Sequence, residues 1–175
     1  MILKLKRTPG IYLVGFMGCG KTTIGERLAD QLGWRFVDLD GDIEAEQGTS
    51  IAELFDTGGE PEFRKIEAAV LRKRVLEIER GIATVMALGG GTFVQPVNAR
   101  LVAEHGVTVW LNCPFPVIVK RTGQASHRPL ARDAEQFEAL YNERLAAYEL
   151  ADYQIPIESD DPLDAVAAIL RLPLF

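Results

Sequence analysis

Two rhythms of apolar and polar residues alternate along this chain. Short runs rich in apolar or β-branched residues read as strands: Ile11 to Val14, Arg35 to Val37, Ile82 to Leu88, Thr108 to Leu111 and Gln154 to Ile157. Between them lie stretches with helical spacing. Ile24, Leu28 and Leu32 mark a helix over Thr22 to Leu32 that stops at Gly33. Ser50, three residues before Glu53, caps a short helix with capping-box spacing. Pro61 opens a longer helix carrying Ile66, Val70, Leu71, Val75 and Ile78, and Gly81 ends it. Val97 to His105, Pro114 to Arg121, Ala134 to Leu150 and Pro162 to Arg171 are the remaining helices, and Gly123 to Asp133 reads as an exposed loop. Strands alternating with helices predict an α/β fold with a parallel sheet covered on both faces.

Composition narrows this picture without changing it. A chain of 175 residues suits one domain, 1–175, and its 47% hydrophobic and 25% charged content excludes disorder. The 19 Lys and Arg against 25 Asp and Glu give a net charge of −6, which argues against sequence-independent binding to DNA or anionic membrane. Cys19 and Cys113 read as reduced thiols of a cytoplasmic protein. Lys4, Lys6 and Arg7 before Ile11 to Met17 look superficially like a secretory leader. That run is short, broken by Gly15, and cleavage after it would cut a phosphate loop in two. No run reaches 18 apolar residues, so no membrane span is expected.

The 16 glycines carry the chemistry. Gly15-Phe16-Met17-Gly18-Cys19-Gly20-Lys21-Thr22 fits G-x-x-x-x-G-K-[ST], with a strand before it and a helix after it. Glycines let successive N–H groups turn toward phosphate oxygens, and the helix dipole adds to that field. Lys21 would reach the β- and γ-phosphates of ATP, and the Thr22 hydroxyl would hold Mg²⁺. A dinucleotide loop is excluded by spacing, because Gly18 and Gly20 are followed by Gly25 and not by a glycine at position 23. Cys19 stands at a helix N-terminus, where a thiol is either activated or simply packed.

Asp38 and Asp40 end the second strand. Period two would put both carboxylates on one side, one toward a magnesium hydration shell and one toward an attacking hydroxyl. The competing reading makes them a helix cap and a solvated acid. Gly89-Gly90-Gly91 follows an apolar strand, where bare backbone lets a ligand come close. Arg64, with Glu67 three residues later, and Arg144 are forks suited to an anionic substrate. Arg121, Arg128 and Arg132 bracket the polar loop and suit a lid that closes on ATP. His105 and His127 have no metal-ligand spacing.

Together these segments resemble the shikimate kinase family. The resemblance runs from Ile11 to about Pro162. It rests on the phosphate loop through Gly25, on Asp38-Leu39-Asp40-Gly41-Asp42-Ile43-Glu44, and on Ser50-Ile51 through Phe55. It continues through Gly59 to Glu67, Leu88 to Gly91, Arg121-Thr122-Gly123 and Arg128-Pro129-Leu130. It implies a three-layer P-loop kinase fold with a central parallel five-stranded sheet and a lid loop over about 121–133. ATP would lie on Gly18, Cys19, Gly20, Lys21, Thr22 and Thr23, with Arg121 beside adenine and Arg128 on the phosphates. Thr22 and Asp38 would serve Mg²⁺. Shikimate would be bound in the segment about 38–67 by Asp40 and Arg64, together with Gly89, Gly90, Gly91 and Arg144. Lys21, Asp40 and Arg128 would be the catalytic groups. Ser159 to Pro162 stands where the family has its adenine loop. Cys19 stands where serine is commoner, Thr22-Thr23 where Ser-Thr is common, and Ala131 where leucine is usual. The implied protein is a monomeric cytoplasmic kinase with no nucleic-acid or membrane partner. A gluconate-type P-loop kinase and a nucleotide-binding regulator without turnover are the alternatives.

Overall fold

The computed structural model describes residues 9–123 and 134–174. Along the chain run β1 (Gly10–Val14), α1 (Lys21–Leu32), β2 (Arg35–Asp38), α2 (Leu39–Gln47), α3 (Ile51–Glu79) and β3 (Thr84–Ala87). Then follow α4 (Pro96–Glu104), β4 (Val107–Asn112), α5 (Phe115–Gly123), α6 (Ala134–Tyr148), β5 (Tyr153–Pro156) and α7 (Pro162–Leu170). The strands form one parallel sheet in the order β2-β3-β1-β4-β5. The expected α/β architecture is present, and strand ends depart from the expected ones by one or two residues.

That order positions the functional edge. From β1 the chain leaves through α1 toward β2, while from β3 it leaves through α4 toward β4 on the opposite side. Right-handed crossovers running in opposite directions put their helices on opposite faces. Accordingly α1 packs with α7, and α3 packs with α4. With helices on both faces, all five residues of β1 are buried, which is why Ile11 to Val14 is an unbroken apolar run. Adjacent β1 and β3 diverge beyond their carboxyl ends, and α/β sheets open a ligand crevice at such a point.

Two local readings are settled by the geometry. Asp38 is the N-cap of α2, its side chain accepting from the Asp40 N–H. The backbone turns helical at Leu39, so period two does not relate Asp38 to Asp40; the strand-based argument fails there, and the cap explains the pair. The helices begun at Ser50 and Pro61 abut without a loop, as α3. They meet at Gly59, whose φ of 75° and ψ of 174° break the helix, and Pro61 stands in the next first turn, where its missing N–H costs nothing. Ser50 Oγ caps the first half by accepting from the Glu53 N–H at 3.2 Å. Arg74 of α3 then reaches Asp42 of α2 at 2.5 Å, while Glu77 takes Arg35 of β2 at 2.7 Å. These ion pairs tie α2 to the sheet and to α3.

Gly106, between α4 and β4, is the tightest joint in the sheet. A Cβ there would collide with the Gly10 carbonyl oxygen and come within 2.7 Å of the Tyr12 ring. Backbone cannot yield without parting β1 from β4. Gly106→Ala should therefore cost about 1–3 kcal/mol and lower Tm by roughly 3–10 °C in calorimetry; an unchanged Tm would show that the joint can slide.

Candidate active site

The phosphate loop is built by three glycines with φ values that side chains avoid: Gly15 at 151°, Gly18 at 84° and Gly20 at 99°. At Gly15 a Cβ would also stand 2.9 Å from both Cys19 Sγ and the Leu111 carbonyl oxygen. Gly20 is the N-cap of α1 and has no side chain to offer, so the first N–H groups of the helix remain open to an anion. Lys21 Nζ donates to the carbonyls of Gly15 at 2.7 Å and Phe16 at 3.1 Å. The ammonium is thus held over the loop. Cys19 is fully buried beneath it, which makes packing its role here. Cys19 and Cys113 are both free thiols, and burial pushes Cys113 up to about 11.

The Asp38 carboxylate joins this loop to α2. Its Oδ2 accepts from Thr22 Oγ1 at 3.1 Å, and its Oδ1 accepts from the Asp40 N–H, also at 3.1 Å. Asp40, one helical step on, faces the same cleft. Burial pushes its carboxyl up to about 6; Lys21 opposes the shift, while Asp38, Glu67 and Glu44 add to it. A group with that pKa near neutrality suits proton transfer.

On the far side stand the two arginines. Arg64 Nη1 donates to both oxygens of Glu67, at 3.0 and 3.1 Å, and Nη2 reaches Glu60 at 3.3 Å. Glu67 is only 1% exposed, so Arg64 meets it away from bulk water. Arg64 Nε is buried with no protein partner. Arg144, from α6, lies over the Phe16 ring at 5.7 Å.

Gly89-Gly90-Gly91 lies between these groups. None of the three has a positive φ, so space and not backbone freedom is what they supply. A Cβ on Gly89 would stand 2.7 Å from Asp40 Oδ1, one on Gly90 would stand 3.0 Å from Arg144 Nη1, and one on Gly91 would overlap the Arg64 guanidinium. The sequence suggested close approach by a ligand. The structure gives that closeness first to the protein's own side chains.

Arg121 connects the loop to the segment expected beside adenine: Nη1 donates to the Gly18 carbonyl at 3.1 Å, and Nη2 to Asp160 at 2.9 Å. Phosphate loop, carboxylates, glycines and arginines all line one open cleft of about 1170 Å³, and exposed Thr23 sits at its rim. Arg128, Arg132, His127 and the body of the expected lid lie outside the described residues.

Sequence reasoning missed three supports. Phe16, inside the loop motif, serves Arg144 as a platform. Tyr148, one helical turn beyond Arg144, donates its hydroxyl to the Gly90 carbonyl at 2.5 Å. Thr92, next to the glycine triplet, donates to Glu67 Oε2 at 2.8 Å. The i, i+4 spacing of Arg144 and Tyr148 was a usable signal; the reach of Thr92 across 25 positions left none.

A glycine loop under a helix N-terminus, with lysine, threonine and a carboxylate at its lip, defines a P-loop kinase. A family model described as shikimate kinase matches residues 17–172. The shikimate kinase of Persephonella marina is 38% identical over 91% of this chain and 96% of its own length. That of Synechococcus elongatus is 39% identical over 93% and 85%. Among solved structures, a shikimate kinase from Acinetobacter baumannii in complex with shikimate superposes with a TM-score of 0.86 at 35% identity, covering 95% of this chain and 93% of that one. The chain belongs to the shikimate kinase family.

The glycine triplet generates a test of the site. Gly91→Ala should displace Arg64 with no backbone strain, lowering kcat/KM for the acceptor by roughly 10- to 100-fold while KM for ATP stays put. Steady-state kinetics with each substrate varied in turn would show it. A parallel loss toward ATP would mean that the whole edge has moved.

Proposed function

We propose that this chain transfers the γ-phosphoryl group of ATP to the 3-hydroxyl of shikimate. The observation that carries this reading is the convergence of Asp40, Arg64 and Arg144 on Gly89 to Gly91, in one cleft with the phosphate loop. Two guanidinium groups suit the acceptor's carboxylate, and Asp40 suits its hydroxyl. The opened helix N-terminus and Lys21 suit the phosphates of ATP, Lys21 exchanging neutral carbonyl partners for anionic ones.

Thr22 and Asp38 offer hard oxygen donors 3.1 Å apart at the loop's lip, which fits magnesium. No cluster of three or more His, Cys, Asp or Glu that could hold a metal occurs among the described residues, and magnesium in such sites takes most of its ligands from water and phosphate. Bound there, it would neutralise charge on the transferring group.

Phosphoryl transfer passes through a loose transition state, so the protein's work is positioning and charge stabilisation. Arg64 and Arg144 fix the acceptor's carboxylate end, and Asp40 turns its hydroxyl toward the phosphates and takes the proton from that oxygen. Within this reading the protein is one kinase domain that works as a monomer. Two free buried thiols support a cytoplasmic setting. Among the described residues no helix is long and apolar enough to cross a membrane, and the net charge of −6 argues against nucleic acid as a partner.

A coupled assay of ATP consumption with shikimate, with gluconate and with no acceptor tests the proposal. Turnover should appear with shikimate alone; consumption that ignores both acceptors would overturn it.

Asp40 supplies a second expectation. Its carboxyl holds its proton up to about pH 6, so kcat/KM for shikimate should fall with acidity below that value. The same shift bears on stability. The folded state binds this proton more tightly than the unfolded chain does, so the associated stability is present at low pH and lost as pH rises through about 6. Asp40→Asn should therefore abolish most activity yet be about 1–2 kcal/mol more stable than the parent at pH 8, with no gain at pH 3.5. Thermal melts at the two pH values check the sign.

A further inference from the structure

Arg64 meets its one buried partner, Glu67, through a single nitrogen of its fork. Both contacts to Glu67 come from Nη1, Nη2 meets an exposed glutamate at 3.3 Å, and Nε has no protein partner. With Nη2 on a solvent-facing glutamate and the Phe63 ring 5.3 Å below Cζ, the buried carboxylate at Nη1 is the contact that fixes the direction of the fork within its plane. The plane of a glutamate carboxylate is set by a soft torsion, so something must set Glu67 in turn.

Thr92 is that group in the structure. It is fully buried, and its hydroxyl donates to Glu67 Oε2 at 2.8 Å. Its own position is fixed on every side. The Thr92 N–H donates to the Gly89 carbonyl at 3.1 Å, and its carbonyl accepts from buried Asn98 Nδ2 at 3.2 Å and from the Gln95 N–H at 3.2 Å. A β-branched side chain has a stiff χ1, so a fixed backbone means a fixed hydroxyl. Oγ1 also lies 2.9 Å from where a Gly89 Cβ would be, so only glycine there leaves the hydroxyl its place.

We propose that Thr92 is a positioning residue for the acceptor end of the site: its hydroxyl orients Glu67, which aims Arg64, and so couples the glycine loop to the carboxylate clamp. The proposal rests on the reading of Arg64 as a substrate-carboxylate ligand. Thr92 touches no substrate in this scheme, and its effect passes wholly through Arg64. Removal of the hydroxyl at constant shape leaves Glu67 and Arg64 paired but free to swing together.

The test uses the whole chain and three variants. Thr92→Val should raise KM for shikimate roughly 5- to 50-fold, with KM for ATP within about twofold of the parent. Thr92→Ser, which keeps the hydroxyl, should restore most of the loss. In an Arg64→Ala background the Thr92→Val effect should vanish, because the two act in series. Additive losses in that cycle, or equal losses toward both substrates, would overturn the proposal and leave Thr92 a structural residue only. If Thr92→Val does not fold, Thr92→Ala enters the same cycle. A readout that needs no substrate separates this idea from the functional reading. The ¹⁵N signal of the Arg64 side chain, assigned by its loss in Arg64→Lys, should shift and show faster rotation about the Nε–Cζ bond in Thr92→Val. An unchanged signal would overturn the coupling whatever the enzyme phosphorylates. A parent protein inert toward shikimate, with the signal moved, would instead overturn only the substrate assignment.

Discussion

Asp40, Arg64 and Arg144 reach the backbone of Gly89 to Gly91 from three different helices, α2, α3 and α6, and each comes within 3.0 Å of where a Cβ would stand. The acceptor end of the cleft depends on that closeness. Long side chains lose rotamer entropy when they are ordered, and here the protein's own contacts supply much of that ordering. Tyr148 pins the loop from below by donating to the Gly90 carbonyl, and Thr92 closes it by donating its N–H to Gly89. A loop with so much of its surroundings touching it is a template and not a hinge.

The electrostatics follow the same logic of prior arrangement. The chain carries net −6, yet the cleft collects Lys21, Arg64, Arg121 and Arg144. Each cation is held by something of its own: loop carbonyls for Lys21, Glu67 for Arg64, Asp160 for Arg121 and the Phe16 ring for Arg144. Such partners keep like charges apart and aimed, at the expense of some attraction for an incoming anion. Asp40 shows the opposite balance. Its raised pKa records a carboxylate that burial makes more stable protonated.

How much of this was legible in the sequence divides along contact range. The phosphate loop, the stop at Gly33, the cap at Ser50 and the helix start at Pro162 were readable because their determinants are contiguous. Alternation of strand and helix carried the sheet for the same reason, since each crossover is a local event. Asp38 and Asp40 were recognised as a pair with two geometries left open, a continuing strand or a helix cap; the structure takes the cap, and periodicity could not choose because it does not report the cap bond. Thr92 was invisible because its partner lies 25 positions away, and Tyr148 showed only its spacing from Arg144, since its bond to Gly90 spans 58 positions between elements whose packing only the fold defines. The glycine triplet was noticed as a place of close approach, and what the sequence did not show is that Asp40, Arg64 and Arg144 of the protein itself come close there.

The corrected geometry of Asp38 has a consequence for how the two ends of the cleft are kept in register. Its two oxygens face different elements, one taking the Thr22 hydroxyl at the start of α1 and the other the Asp40 N–H in the first turn of α2. A strand-like arrangement would have set Asp40 apart from Asp38 by backbone extension alone, free to drift with the end of β2. As a cap, Asp38 fixes the first turn of α2 to the phosphate loop through a single planar group. Arg74 then holds α2 from the other side through Asp42, and Glu77 extends that tie to Arg35. The distance between the phosphate-binding edge and the carboxylate opposite is thereby set by side chains within one short stretch, and sliding of β2 along β3 would have to break the cap before it could alter that distance.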